Sequence, residues 1–295
     1  MILGERLRIA SCELRLCRAS EFKLRRLVRR VWKELLNVQK ASSFLQQQDG
    51  GKIMRIIRAK DYAEVSSKTA NLLLAQVNLK PSAVLGLATG GSPVGAYQKI
   101  VEAYQNADVD FSEVTTINLD EYRGISREHP QSYRSFMHEH LMKHVNLRKD
   151  HIFIPDGENM DAEAVCSAYD SVIEQSGGID LQLLGIGLDG HIGFNEPADH
   201  FEKNTHCVEL TESTIEANQR FFDSKDQVPR QAYTMGILPI MQARKVVLIA
   251  NGQNKADILR RAFFGPVTPQ VPASILQLHP DVTLIADEEA LSAMC

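Results

Sequence analysis

The sequence predicts an α/β fold in which a mostly parallel sheet is covered by helices on both faces. Two observations carry this: short apolar runs alternate with stretches of helical spacing, and the connections between them are short. A third is that the polar clusters lie just past the apolar runs, where open parallel sheets bind ligands.

Residues 1–53 precede that alternation and differ in kind. They carry 12 Lys and Arg against 5 Asp and Glu, a net +7, while the remainder carries −11, for −4 over 295 residues. Leu24, Leu27, Val28, Val31 and Leu35 share one side of a helix over 22–36, opposite Arg25, Arg26, Arg29, Arg30 and Lys33. Such a helix suits an acidic or membrane surface, a nucleic acid or an oligomerisation arm. Gln46-Gln47-Gln48-Asp49-Gly50-Gly51 has a linker's composition, and Met54-Arg55-Ile56-Ile57 reads as a natural start entering a strand. We therefore expect 1–53 to be a non-catalytic extension from an upstream start site and 54–295 to be a single α/β domain.

Ile56-Ile57 opens the first strand. The pattern then predicts a helix over 61–77 with Asp61 as its N-cap, a strand over 83–88, a helix over 94–106 and a strand over 114–119. A helix over 131–144, a strand over 151–154, a helix over 161–176 and a strand over 181–186 follow. Strand 246–250 precedes a helix from Lys255, and 282–286 is the last strand. This order is Rossmann-like. No apolar run approaches the roughly 20 residues of a membrane span and no signal segment opens the chain, so a cytoplasmic protein is expected. Cys12, Cys17, Cys166, Cys207 and Cys295 are odd in number and scattered, which predicts reduced thiols and no zinc site.

The strand over 181–186 runs into Gly187-Leu188-Asp189-Gly190-His191-Ile192-Gly193-Phe194-Asn195-Glu196-Pro197. An Asp, a His and a Glu between glycines suit a proton-transfer centre whose imidazole is set by carboxylates; the bland alternative is a polar turn. Thr89-Gly90-Gly91-Ser92-Pro93, between a strand and a helix, offers amides, a hydroxyl and a helix N-terminus to an anion, or is simply a turn that needs glycine. Asp120-Glu121-Tyr122-Arg123-Gly124 puts a carboxylate at another strand exit, as a cap or a general base. Arg220 and Lys255 read as surface charges or, with the glycine loop, as a clamp on a monophosphate. No metal-ligand spacing appears, so metal-free chemistry without a cofactor is expected.

Leu119-Asp120-Glu121-Tyr122, Asp189-Gly190-His191-Ile192-Gly193-Phe194-Asn195-Glu196-Pro197, Thr89-Gly90-Gly91-Ser92-Pro93 and Asn218-Gln219-Arg220-Phe221-Phe222 together closely resemble the glucosamine-6-phosphate deaminase family. The likeness runs from Met54 to near the C-terminus and excludes 1–53. It implies conversion of glucosamine 6-phosphate and water to fructose 6-phosphate and ammonia, in N-acetylglucosamine utilisation. It also implies roles: His191 opens the pyranose ring, Asp189 and Glu196 orient and charge its imidazole, and Asp120 moves a proton from C2 toward C1. Gly90, Gly91, Ser92, Arg220 and Lys255 would hold the phosphate. An aldose-to-ketose shift does need a carboxylate base and polar donors rather than a nucleophile.

One departure matters. Allosteric members resemble this chain less just past the Asn-Glu-Pro turn, where they carry basic residues and later a longer C-terminal segment; here the stretch is Asn204-Thr205-His206-Cys207-Val208-Glu209. Hyperbolic kinetics without activation by N-acetylglucosamine 6-phosphate are expected, from a monomer or small homo-oligomer. Two other readings compete. A 6-phosphogluconolactonase lacks the Phe194-Asn195-Glu196 continuation, and a sugar-phosphate sensor with a DNA-binding segment needs a second helix where 37–53 offers Gln, Ser and Gly. Neither a nucleic-acid nor a membrane partner is expected.

Overall fold

A computed structural model describes residues 53–294; the basic stretch over 22–36, the linker and Cys12, Cys17 and Cys295 lie outside the described residues. The chain runs β1 (Ile53–Ala59), α1 (Tyr62–Leu79), β2 (Val84–Leu87), α2 (Val94–Gln105), β3 (Thr115–Asn118), β4 (Asp120–Tyr122), α3 (Tyr133–His140) and β5 (Ile152–Phe153). It continues through α4 (Ala162–Gln175), β6 (Leu181–Leu184), β7 (His206–Glu209), α5 (Glu212–Asn218), β8 (Gln231–Thr234) and α6 (Ile237–Gln242). β9 (Val246–Ala250), α7 (Ala256–Phe264) and β10 (Asp281–Asp287) complete it.

Side-chain caps start the helices where the sequence signals them. Asp61 accepts from the Glu64 amide at 2.8 Å, and Asp161 does the same for Ala164 at 3.1 Å, each satisfying an amide with no partner inside the helix. The third helix is shorter than the expected 131–144. Ser132 caps it, and it ends at Leu141, whose backbone leaves the helical region (φ −141°) as its side chain enters the core.

Seven strands form the main sheet in the order β1-β10-β9-β6-β2-β3-β5, every pairing parallel. Both faces are apolar, as helix-covered parallel strands require. On β9, Val246, Leu248 and Ala250 point into one core with α4, α6 and α7; Val247 and Ile249 point into the other with α1 and α2. From β2 the chain builds outward through β3 and β5, then returns to the other side of β2 with β6. The order therefore reverses between β2 and β6, and the crevice beyond their carboxyl ends is where this architecture binds ligands.

A buried carboxylate anchors the opposite end of those two strands. Asp180, its side chain 4 % exposed, pairs with Lys80 and Arg244 at 2.7 Å each and accepts from the Val84 amide. Burial opposes its ionisation, but the Lys80 and Val84 hydrogen bonds and the two cations outweigh that and hold the carboxyl below its ordinary value. Its contribution is thus complete above about pH 4 and lost as pH falls through the lower folded value. Asp180→Asn should destabilise the protein by about 2 kcal/mol, less than a wholly buried pair because both cations are solvated, read from the denaturant midpoint.

A second sheet, three antiparallel strands in the order β4-β8-β7, departs from the expected plan. Leu119 alone separates β3 from β4, so one apolar run hides a change of sheet. Its strands have three or four residues, too few for alternation to register.

Candidate active site

The loop after β6 brings its three titratable groups together. His191 Nδ1 lies 2.8 Å from Asp189 Oδ1 and 3.4 Å from Glu196 Oε2. Neither contact has hydrogen-bond alignment, so the imidazole sits by charge between two carboxylates rather than being locked to one. Burial alone would depress its pKa, but contacts with Asp189 and Glu196 and their negative charges outweigh that and raise it to about 9. Asp189 answers in kind: burial opposes its charge, yet His191 holds it well below the usual carboxylate range.

Glycine is required where this loop folds on itself. A Cβ on Gly187 would come within 2.3 Å of the His191 ring, so the imidazole lies directly against that backbone. Gly193 has φ +59°, in the left-handed region, and turns the chain toward β8. There the Phe194 amide donates to Thr234 Oγ1 at 3.0 Å, while Asn195 Nδ2 donates to the Ile192 and Met235 carbonyls at 2.9 Å. The Phe-Asn of the motif thus docks the loop on the second sheet.

The same Thr234 stands opposite Asp120 in the β4–β8 register. A Cβ at Gly193 would be 3.5 Å from Asp120 Oδ2, so the loop that carries His191 passes close to this carboxylate. Asp120 is buried; desolvation and then the charge of Glu121 raise its pKa to about 8, with His191 opposing. Glu121 accepts from the Tyr122, Tyr133 and Arg134 amides, each at 2.9 Å, and so ties β4 to the start of α3. Sequence reasoning quoted Glu121 without giving it a role.

The expected phosphate groups converge less completely. Lys255 Nζ donates to the Ile186 carbonyl at 2.7 Å, at the exit of β6. Burial lowers its pKa, the charge of Asp189 raises it and that of Arg220 lowers it, so both charges act at its ammonium. Ser92 meets the loop after β9 through Asn251 Oδ1 at 3.4 Å, not through Lys255 itself. Gly90 adopts φ +94°, and the Gly91 carbonyl accepts from Tyr62. Arg220, exposed in a short 3-10 turn, is followed by Phe222, which packs on Tyr122 of β4 with ring centres 5.9 Å apart. Asn251 and Tyr62 went unread; Asn251 was findable as a strand exit.

Sequence spacing gave no metal signal, yet the fold gathers one. Asp189, His191 and Glu196 each offer an atom within 4.8 Å of the others. Charge matching within the cluster accounts for the same geometry, since the imidazolium neutralises its carboxylates. Among the described residues no helix is long and apolar enough to cross a membrane.

The family model described as glucosamine-6-phosphate isomerases/6-phosphogluconolactonase matches residues 59–285. A protein of Lachnoclostridium phytofermentans named glucosamine-6-phosphate deaminase is 56 % identical over 232 residues, 79 % of this chain and 98 % of its own length. A solved monomeric glucosamine-6-phosphate deaminase is 42 % identical with a TM-score of 0.79, over 81 % of this chain and 99 % of that one. The 6-phosphogluconolactonase of Leishmania guyanensis shares the fold, at 21 % identity and TM-score 0.63 over 81 % of this chain and 98 % of its own. A family model spanning most of the chain and a relative above half identity agree: the chain belongs to the glucosamine-6-phosphate isomerase/6-phosphogluconolactonase family.

Proposed function

We propose that this chain is a glucosamine-6-phosphate deaminase, taking glucosamine 6-phosphate and water to fructose 6-phosphate and ammonia in amino-sugar catabolism. The observation that carries the reading is the pairing of two proton-transfer groups, Asp120 and the His191 cluster, on either side of Thr234 at the sheet's reversal point. A ring opening and a carbon-proton shift need two such groups; hydrolysis of a lactone has no carbon proton to move.

In this mechanism the His191 imidazolium gives a proton to the ring oxygen and the imidazole recovers one from the C1 hydroxyl as C1 becomes an aldehyde, with Asp189 and Glu196 stabilising its charge. Asp120 then removes the C2 proton and returns it at C1, passing through an enol-type intermediate; water adds at C2 and ammonia leaves. Arg220, Lys255, Ser92 and the Gly90–Gly91 backbone hold the phosphate remote from the reacting carbons, which spends binding energy on position. Residues 1–53 take no part. The working form is a cytoplasmic monomer or small homo-oligomer that needs no cofactor, metal, nucleic acid or membrane.

Ammonia release from glucosamine 6-phosphate by purified protein tests this. The rate should be hyperbolic in substrate and unchanged by N-acetylglucosamine 6-phosphate, because His206, Cys207, Val208 and Glu209 form an edge strand with no Lys or Arg for an anionic effector to meet. A sigmoidal curve flattened by that ligand would refute the second claim. Acid release from 6-phosphogluconolactone without ammonia from the amino sugar would overturn the first.

A further inference from the structure

A hydroxyl outside the motifs touches the catalytic cluster. Thr214, on α5, is 5 % exposed, and its Oγ1 donates to Glu196 Oε1 at 2.6 Å. The other Glu196 oxygen is the one facing His191 at 3.4 Å. Thr214 Oγ1 in turn accepts from the hydroxyl of Thr211, the α5 N-cap, at 3.1 Å. That donation leaves the Thr214 proton committed to the carboxylate, in a hydrogen-bonded chain of Thr211, Thr214 and Glu196 that ends beside His191. The helix leads directly into the turn that carries Arg220, and Ile215 and Phe222 pack in one apolar cluster with Tyr122 and Phe194.

We infer that Thr214 is a positioning residue: it fixes Glu196 against His191, the group that opens the sugar ring. The inference rests on the roles proposed above for His191 and Glu196. Glu196 has one oxygen for each task, and without Thr214 its carboxylate has no reason to keep the orientation that presents Oε2 to the ring.

The groups that face His191 define the readout. Asp189 and Glu196 flank it from its own loop, Asp120 acts on it from β4, and the charges of Asp189 and Arg220 act in turn at Lys255. Losing one of its two carboxylate contacts makes the imidazolium less favourable and lets its proton leave at lower pH. Thr214→Val, which removes the hydroxyl at equal volume, should lower kcat about tenfold, the scale of a lost hydrogen bond to a charged group. The alkaline limb of the pH profile should move down by about half a unit or more. Inhibition by inorganic phosphate should be unchanged, and Thr214→Ser should restore both rate and limb. Thr214→Ala gives the same reading should valine disturb α5. A purely structural hydroxyl would leave the limb in place, and that result in Val and Ala variants would overturn the inference. Glu196→Gln separates the two levels: if it too leaves the limb unmoved, the role assigned to Glu196 is what fails.

Discussion

Asp120→Asn should abolish measurable turnover, a loss of about 10³- to 10⁴-fold in kcat, while inorganic phosphate still binds. Asparagine keeps the shape and the β4–β8 pairing but cannot take a proton from carbon. The environment explains why this carboxyl suits the task. Burial and the neighbouring Glu121 charge raise its pKa to about 8, making it a stronger base than a solvated aspartate. A raised carboxyl is protonated below that value, so kcat/KM should climb as pH rises toward about 8. His191 must keep its proton to open the ring, so the rate should fall again above about 9. The profile is therefore a narrow bell on the alkaline side of neutrality, and its two limbs belong to the interacting pair rather than to either residue alone. In kcat the acidic limb should lie lower, because the substrate's ammonium beside C2 favours the charged carboxylate. A kcat within tenfold of wild type in Asp120→Asn would remove it as the base.

His191→Gln should cost about 10²- to 10³-fold, less than the Asp120 variant. The difference has a chemical cause: sugars open their rings slowly in water, and a protein still able to bind the open chain can carry it forward through Asp120. The residual rate should then stop rising as more variant is added, since spontaneous opening becomes limiting. A residual rate proportional to enzyme at every concentration would place the ring-opening group elsewhere. Glutamine also leaves Asp189 and Glu196 without their cation, so the variant should lose stability at neutral pH, where both carboxylates would otherwise repel.

The main sheet and the clustering of Asp189, His191 and Glu196 in one loop were legible in the sequence for a physical reason. Strands such as Val246–Ala250 are buried on both faces and read as unbroken apolar runs, and helix starts at Asp61 and Asp161 carry their own caps. Asp189, His191 and Glu196 stood out because they sit within eight residues of one loop. What escaped depends on long-range pairing. Asp120 faces Thr234 across 114 positions only because β4 leaves the first sheet and enters the second, and nothing local marks that step. Thr214 reads as an ordinary helix residue until the fold sets it against Glu196. The phosphate groups were each ambiguous alone, and the fold brings the charges of Arg220 and Lys255 near each other without placing Ser92 on either.

The pairing of β1 with β10 sets the order in which the protein can come into being. All seven residues of the first strand lie in register with the last, from Ile53 opposite Asp281 to Ala59 opposite Asp287. On the ribosome β1 therefore waits for its strand partner until residues 281–287 have been made. Asp287 also holds the Gly252 amide with both carboxylate oxygens at 3.0 Å, so the loop leading to Lys255 takes its final form in the same late event. Pairing across such a separation is slow, and translation that pauses before β10 exposes an apolar edge on β9 meanwhile. Activity in a synthesis time course should accordingly lag behind full-length chain.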